Sequence, residues 1–286
     1  AECYDLRLSD GSGGLNVTDP GQTRGILKKM ADHKNSASDG AKTQFCGFVR
    51  LKGKKPEDLD VLVVRENTED AYRGRTIKEE DRVIQEMLYT HAGTERIIRY
   101  AYEAARNRPR KKLTLVDKAN AIRAHDLYRK TFVEIGKDYP DIEKDYAYID
   151  AACMWFVKNP EFYDTVVVPN MFGDIITDLG AMVQGGMGIA AGGNVNPEGV
   201  SMFEPIGGSA PKYAGLNVIN PLACIFAGQM MLDHLGENKA ADLVEKACVT
   251  FLESGALPGL SVTHIQEAGL STSAIGDAIA DLVAAK

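Results

Sequence analysis

Residues 165–186 read TVVVPNMFGDIITDLGAMVQGG: four β-branched residues, a proline, then a stretch with apolar residues at helical spacing. A short run apolar on both faces fits a strand buried inside a parallel sheet. A helix directly behind it completes one unit of an α/β fold. That helix carries Asp174 and Asp178, four apart and on one face. Like charges at this spacing repel by about 0.2–0.5 kcal/mol. Either something positive sits between them, or they decorate a solvated helix start, where the macrodipole favours acids. On the first alternative, Asp174→Asn would slightly raise the stability of the metal-free protein.

Outward from this unit the same alternation recurs. Strands are expected at 60–64 (DVLVV), 113–116 and 146–149, besides 165–168. Helices are expected at 94–107, 125–135, 174–184, 221–235, 238–251 and 273–283. Strands alternating with helices mean an α/β protein with substantial parallel pairing. Residues 1–45 differ: only 14 are apolar, with no apolar run longer than two. The pattern there predicts mostly loop, with one helix near 23–33 and no regular central strand.

The chain has 286 residues, enough for one large or two modest domains. Its 44% apolar and 26% charged residues are ordinary for a globular protein. A formal charge of −7 argues against nucleic acid or an anionic membrane as the main partner. The five cysteines (Cys3, Cys46, Cys153, Cys224, Cys248) follow no metal spacing, and read as reduced thiols in a cytoplasmic setting. No signal-peptide pattern opens the sequence, and no apolar run approaches the roughly 18 residues of a membrane span.

Several residue types point to chemistry. Asp150, Asp174 and Asp178 are candidate oxygen ligands for Mg²⁺ or Mn²⁺. Arg50 and Arg65 flank the 60–64 strand and suit bidentate carboxylate binding, or simple solvation. Lys118, in LTLVDKAN, follows a strand's C-terminal end, where open α/β sheets bind ligands. It could serve as a base and Tyr72 as a proton donor, or either could be an ordinary loop residue. The glycine-rich GGSAPKYAG at 207–215 suits phosphate or adenosine contact but is not GxGxxG.

Taken in order, VVRENTEDAY, DKAN, YIDAACMW, NMFGDIITDLGAMVQGGMGIA, MFEPIGGSAPKYAG and INPLACIFAGQMMLDHLG make a specific set. Over roughly residues 45–280 the chain resembles the β-decarboxylating dehydrogenases, the isocitrate and 3-isopropylmalate dehydrogenase family. The resemblance implies an α/β, isocitrate/isopropylmalate dehydrogenase-like fold with two interleaved subdomains: 1–54 with 186–286 on the cofactor side, and 55–185 for substrate and dimerisation. It implies NAD(P)- and Mg²⁺- or Mn²⁺-dependent oxidative decarboxylation of a malate-type 2-hydroxy acid, with 3-isopropylmalate as first substrate and isocitrate as the alternative. Asp174 and Asp178 then resemble metal ligands of one subunit, and Asp150 the ligand lent by the other subunit of a homodimer. Lys118 resembles the base-side lysine, also lent across the dimer. Tyr72 resembles the acid, and Arg50 and Arg65 resemble carboxylate clamps. Asn120, Gly208, Ser209, Ala210, Lys212, Tyr213 and Asn220 resemble cofactor contacts. The metal would relieve the repulsion of the aspartate pair.

The departures are equally specific. The family's opening apolar strand and GDGIGPE-like turn have no match in residues 1–45, so the N-terminal part is atypical. Gly40 stands where a third carboxylate-binding arginine is usual, and Gly207 where histidine is frequent. Lys212 and Tyr213 resemble a grip on the 2′-phosphate of NADP, yet the positions that would complete it align to His264 and Ala268. A non-catalytic subunit or decayed paralogue that keeps the fold is the rival reading.

Overall fold

The computed structural model describes the backbone of residues 40–46, and residues 59–197 and 199–285 in full. The chain separates into two compact units, one of residues 38–184 with 194–201, the other including residues 185–193 and 202 onward. The expected helix at 23–33 and the candidate Arg50 lie outside the described residues.

The first unit is built on a sheet. Strands β2 (Asp60–Arg65), β5 (Lys112–Asp117), β6 (Glu143–Tyr148) and β7 (Thr165–Val168) run parallel, in the order β6-β5-β7-β2. The register aligns Leu62 and Leu113 with Thr165, and Leu113 with Lys144. The β2 core Val61–Val64 and all of β7 are buried, as a strand covered on both faces requires. A separate hairpin joins two short exposed strands, β3 (Thr76–Lys78) and β4 (Val83–Gln85).

Strand β1 (Gly40–Cys46) corrects the expectation of no strand before residue 45. It pairs antiparallel with β2, Ala41 opposite Arg65 and Cys46 opposite Asp60. The expectation rested on the continuous apolar run of a parallel strand. An antiparallel strand needs no such run, and in GAKTQFC the polar Lys42, Thr43 and Gln44 stand between small and apolar residues.

Helix α1 (His91–Arg106) covers one face of this sheet. Thr90 caps it, its hydroxyl accepting from the Gly93 N–H at 3.0 Å. Its buried Ile97, Ile98, Ala101 and Tyr102 recur at helical spacing and pack on Leu62, Val64, Leu113, Leu115 and Val167. Helix α2 (Asp126–Ile135) adds Tyr128, Phe132 and Ile135 to the same core. The Tyr102 ring stacks against Phe132 and Tyr139, and its hydroxyl donates to the Phe132 carbonyl. Helices α3 (Ile149–Lys158) and α4 (Asn170–Gln184) pack on each other.

In the second unit, β9 (Met202–Pro205) packs against α5 (Leu222–His234), which lies on α6 (Asn238–Glu253). Two short-range caps order its end. Ser261 caps α7 (Val262–Glu267) and Ser271 caps α8 (Thr272–Ala284). The remaining strand, β8 (Ala191–Val195), is rich in glycine, which hides it from propensity. Among the described residues no helix is long and apolar enough to cross a membrane.

The N-terminal ends of the parallel strands are fastened by charge. Arg108 donates to the Asp164 carboxylate at 2.6 Å and pairs with Asp60 at 2.9 Å, and Asp164 has no solvent exposure. Removing the cation leaves a buried carboxylate without its partner. Arg108→Ala should therefore destabilise this unit by about 3–5 kcal/mol, read from denaturant midpoints. A loss of surface-pair size would mean that water replaces the guanidinium.

Candidate functional site

The candidate residues of the first unit hang from the C-terminal ends of its parallel strands. Arg65 is the last residue of β2, Lys118 follows β5, Asp150 lies just past β6, and α4 begins two residues after β7. Chains that run the same way deliver their ends to the same edge, the place where open α/β sheets take ligands.

Arg65 answers the question raised by the aspartate pair. Its Nη1 donates to Asp174 at 2.8 Å, and its Nε and Nη2 donate to the Asn170 side-chain oxygen at 3.0 and 2.8 Å. The positive group beside Asp174 is thus an arginine of this chain. Gly173 makes the approach possible, because a Cβ there would stand 2.5 Å from the Arg65 Cγ. Three of the guanidinium's five N–H donors have partners among the described residues. The Tyr72 ring, 44% exposed, has its centroid 5.7 Å from the guanidinium carbon.

Asp178 has no such partner among the described residues. Partial burial, then the charge of Asp174, push its carboxyl above the ordinary value, with Arg65 pulling weakly the other way. Two carboxylates a turn apart, one of them held above its usual range, suit a hard divalent cation that accepts oxygen ligands and retains waters. Among the described residues no three His, Cys, Asp or Glu side chains gather as a metal cluster. Asp150 stands elsewhere, accepting from the Lys118 ammonium at 2.6 Å, which holds its carboxyl below the ordinary value. The candidates therefore fall into two groups in one chain: Arg65 with Asp174 and Asp178, and Lys118 with Asp150.

The loop 66–72 is locked to the start of α4. The fully buried Asp70 accepts from the Ala71 N–H at 2.6 Å and from the Met171 N–H at 3.0 Å. A carboxylate at a helix N-terminus is electrostatically favourable. Asp70 adopts a left-handed backbone, φ 72°, to reach that position. Glu66, also buried, accepts from the Thr68 N–H and hydroxyl and the Glu69 N–H, while burial raises its pKa. The Asn170 amide donates to the Glu69 carbonyl at 3.1 Å.

Asn170, Asp70 and Glu66 were not singled out from the sequence, nor was His125. The signal for the first lay in PNMFGD, where asparagine follows a proline and opens a helix; the others are betrayed only by their contacts. His125 is fully buried between the Lys118 N–H, 3.0 Å from Nδ1, and the Tyr89 hydroxyl, 2.9 Å from Nε2. Asn120 is exposed in the turn after Lys118.

The remaining candidates belong to the second unit. Gly208, Ser209 and Lys212 are exposed, and Ala210 is left-handed at φ 44°. The Lys212 ammonium lies 4.6 Å from the Tyr213 ring centroid. Glycine, a strained turn and an exposed cation over an aromatic ring fit the phosphate or ribose part of a dinucleotide. Asn220 is buried, accepting from the Leu222 N–H at 3.0 Å and donating to the Leu260 carbonyl at 3.3 Å, so its amide orders the start of α5.

The two aspartates should respond differently to neutralisation. Asp178→Asn in metal-free protein should gain about 0.2–0.5 kcal/mol at neutral pH. Because the folded-state pKa is raised, the cost of the charge is absent below the unfolded value of about 3.9 and complete above the folded one. The gain should therefore vanish near pH ~3. Asp174→Asn should instead lose up to about 1 kcal/mol, since Arg65 loses its ion pair. This reverses the expectation from spacing alone. Thermal unfolding at both pH values checks it; an equal gain from both substitutions would remove Arg65 from the account.

Comparison with known proteins places this arrangement. Residues 45–279 match the family model described as isocitrate/isopropylmalate dehydrogenase. A 3-isopropylmalate dehydrogenase of Thermobifida fusca is 46% identical over 243 residues, 82% of this chain and 66% of that protein. A decarboxylating D-malate dehydrogenase of Escherichia coli is 48% identical over 194 residues, 65% of this chain and 54% of that protein. The chain thus spans between half and two thirds of the length of these relatives. The crystal structure of isocitrate dehydrogenase from Methylococcus capsulatus superposes with a TM-score of 0.77 at 37% identity, covering 85% of this chain and 73% of that one. With its α/β architecture, its site at the strand ends and a family match over most of its length, the chain belongs to the isocitrate/isopropylmalate dehydrogenase family.

Proposed function

We propose that this protein is an NAD(P)-dependent dehydrogenase that oxidises and decarboxylates a malate-type 2-hydroxy acid, with 3-isopropylmalate as its first substrate. The observation that carries the reading is the placing of two charged groups, Arg65 with Asp174 and Lys118 with Asp150, at the C-terminal ends of parallel strands. The name of the Thermobifida fusca relative supports isopropylmalate, and that of the Escherichia coli relative makes D-malate the second substrate to test.

In this reading Arg65 turns its two remaining N–H donors to a substrate carboxylate, while Asn170 and Asp174 fix the plane of the guanidinium. Lys118 receives the proton of the substrate hydroxyl as hydride leaves the same carbon, and Tyr72 returns a proton to the carbon that loses CO₂. Asp174 and Asp178 would hold Mg²⁺ or Mn²⁺, whose positive charge would favour the enolate. The loop 207–213, with Lys212 beside Tyr213, would hold the adenosine end of NAD or NADP, which would supply the hydride acceptor.

The same reading includes a homodimer. Lys118 and Asp150 form a group of their own in one chain, apart from Asp174 and Asp178, so a complete site would take them from a second copy. The surface supports an interface: Met154 and Met182, on the paired helices α3 and α4, are 73% and 63% exposed. Trp155, Val157 and Ile175 extend this exposed apolar set.

The purified protein, given Mg²⁺ with NAD or NADP, should reduce the nicotinamide with isopropylmalate in preference to isocitrate, malate and tartrate. Absence of turnover with every pair would leave the non-catalytic paralogue as the better account. Lys118→Ala and Asp174→Ala proteins, each inactive, should regain partial activity when mixed, because one site can draw intact residues from both chains. No recovery despite demonstrated subunit exchange would mean that each site is built within one chain.

A further inference from the structure

We infer that His125 is a positioning residue for Lys118, acting through a fixed tautomer that accepts the Lys118 backbone N–H. The inference rests on the proposed role of Lys118. Strand β5 ends at Asp117, aligned with Tyr148, the last residue of its partner β6, so the next N–H, that of Lys118, lies beyond the ladder. His125 supplies its acceptor, Nδ1, at 3.0 Å. A backbone amide can only donate, so Nδ1 carries no proton and the neutral ring holds its proton on Nε2. Nε2 lies 2.9 Å from the Tyr89 hydroxyl, which accepts that proton's hydrogen bond.

The surroundings hold the ring in this state. His125 has no solvent exposure and is met edge-on by Tyr89 and Phe172, with Tyr128 tilted against it. Burial depresses its pKa, with the charges of Asp117 and Asp70 acting weakly in the other direction. The rest of the Lys118 backbone is held as well: its carbonyl accepts from the Ala121 and Ile122 N–H groups at 2.9 and 2.8 Å. The preceding Asp117 carboxylate accepts from the Ala119 N–H and the Tyr146 hydroxyl. His125 therefore closes the one direction that strand pairing and the turn leave open. Its sequence position, seven residues downstream of Lys118, brings it back through a short 3₁₀ turn, Arg123–His125.

Two isosteric substitutions separate positioning from packing. In His125→Asn the side-chain oxygen stands near Nδ1 and keeps an acceptor for Lys118. In His125→Gln the amide reaches toward Tyr89 and that acceptor is lost. A misplaced lysine should lower kcat by about 10²-fold in His125→Gln, while His125→Asn stays within about fivefold of the parent and KM changes little in either. Amide hydrogen exchange at Lys118 should remain slow in the parent and in His125→Asn and become fast in His125→Gln. Nitrogen NMR of the unsubstituted protein should show Nε2 protonated and Nδ1 bare. Equal losses of kcat in both variants, in step with equal losses of thermal stability, would reduce His125 to a core residue. A proton on Nδ1 would overturn the inference without any variant. If the protein turned over no substrate, the catalytic reading would fail, while Lys118 exchange and the His125 tautomer would still decide the contact itself.

Discussion

Parallel pairing of β6, β5, β7 and β2 is the constraint on which the rest depends. Because the strands share a direction, their beginnings collect at one edge and their ends at the other. The beginnings are fastened: Arg108 joins Asp60 and Asp164, and the Lys112 ammonium lies 3.3 Å from Asp145. The ends carry Arg65, Lys118, Asp150 and the helix with Asp174 and Asp178. Charge at the first edge is internally paired and structural. Charge at the second is arranged on loops and helix starts, where it can meet a ligand.

The second edge is not left loose. Asp70 accepts a strained, left-handed backbone to place its carboxylate on the first turn of α4. Such strain, of order 1–3 kcal/mol, persists only where the surroundings determine it. Here they do: Asn170 bonds the Glu69 carbonyl, and Glu66 gathers three donors of its own loop. Glu69 in turn accepts from the Thr90 N–H and hydroxyl at the cap of α1. The loop 66–72 is thereby joined to both helices. Arg65 and Tyr72, at its two ends, inherit that rigidity.

Much of this was legible from periodicity. Strands β2, β5, β6 and β7 and helices α1, α2, α4, α5, α6 and α8 stood out because their apolar residues recur at the spacings that burial demands, and their ends fall within a few residues of those expected. What stayed hidden has physical reasons. Strand β1 has no continuous apolar run, β3, β4 and β9 are short, and β8 is AGGNV, whose glycines carry no pattern; helices α3 and α7 were not expected, and Ile149, read as the end of a strand, opens α3. Among site residues, Arg65, Lys118 and the aspartates could be named from their types and places. Their partners could not: Arg65 meets Asn170 across 105 residues, and Asp70 meets Met171 across 101. A residue whose role is to hold another leaves no local signature.

Electrostatics connects this scaffold to the proposed chemistry. Arg65, Asp174 and Asp178 together carry one positive and two negative charges, a net of −1. A dicarboxylate arriving at that group alone meets repulsion from Asp178, the acid without an arginine partner and already raised in pKa. A divalent cation changes the sum to +1, and a dianion is then attracted. Arg65 bonds one oxygen of Asp174, and a carboxylate has a second oxygen with its own lone pairs, so arginine and cation can share the residue. The ion pair thus orients Asp174, and Asp178, with no arginine partner among the described residues, would supply the further attraction for a cation. On the proposed function, cation before substrate is the order favoured by the charges that one turn of α4 and the last residue of β2 bring together.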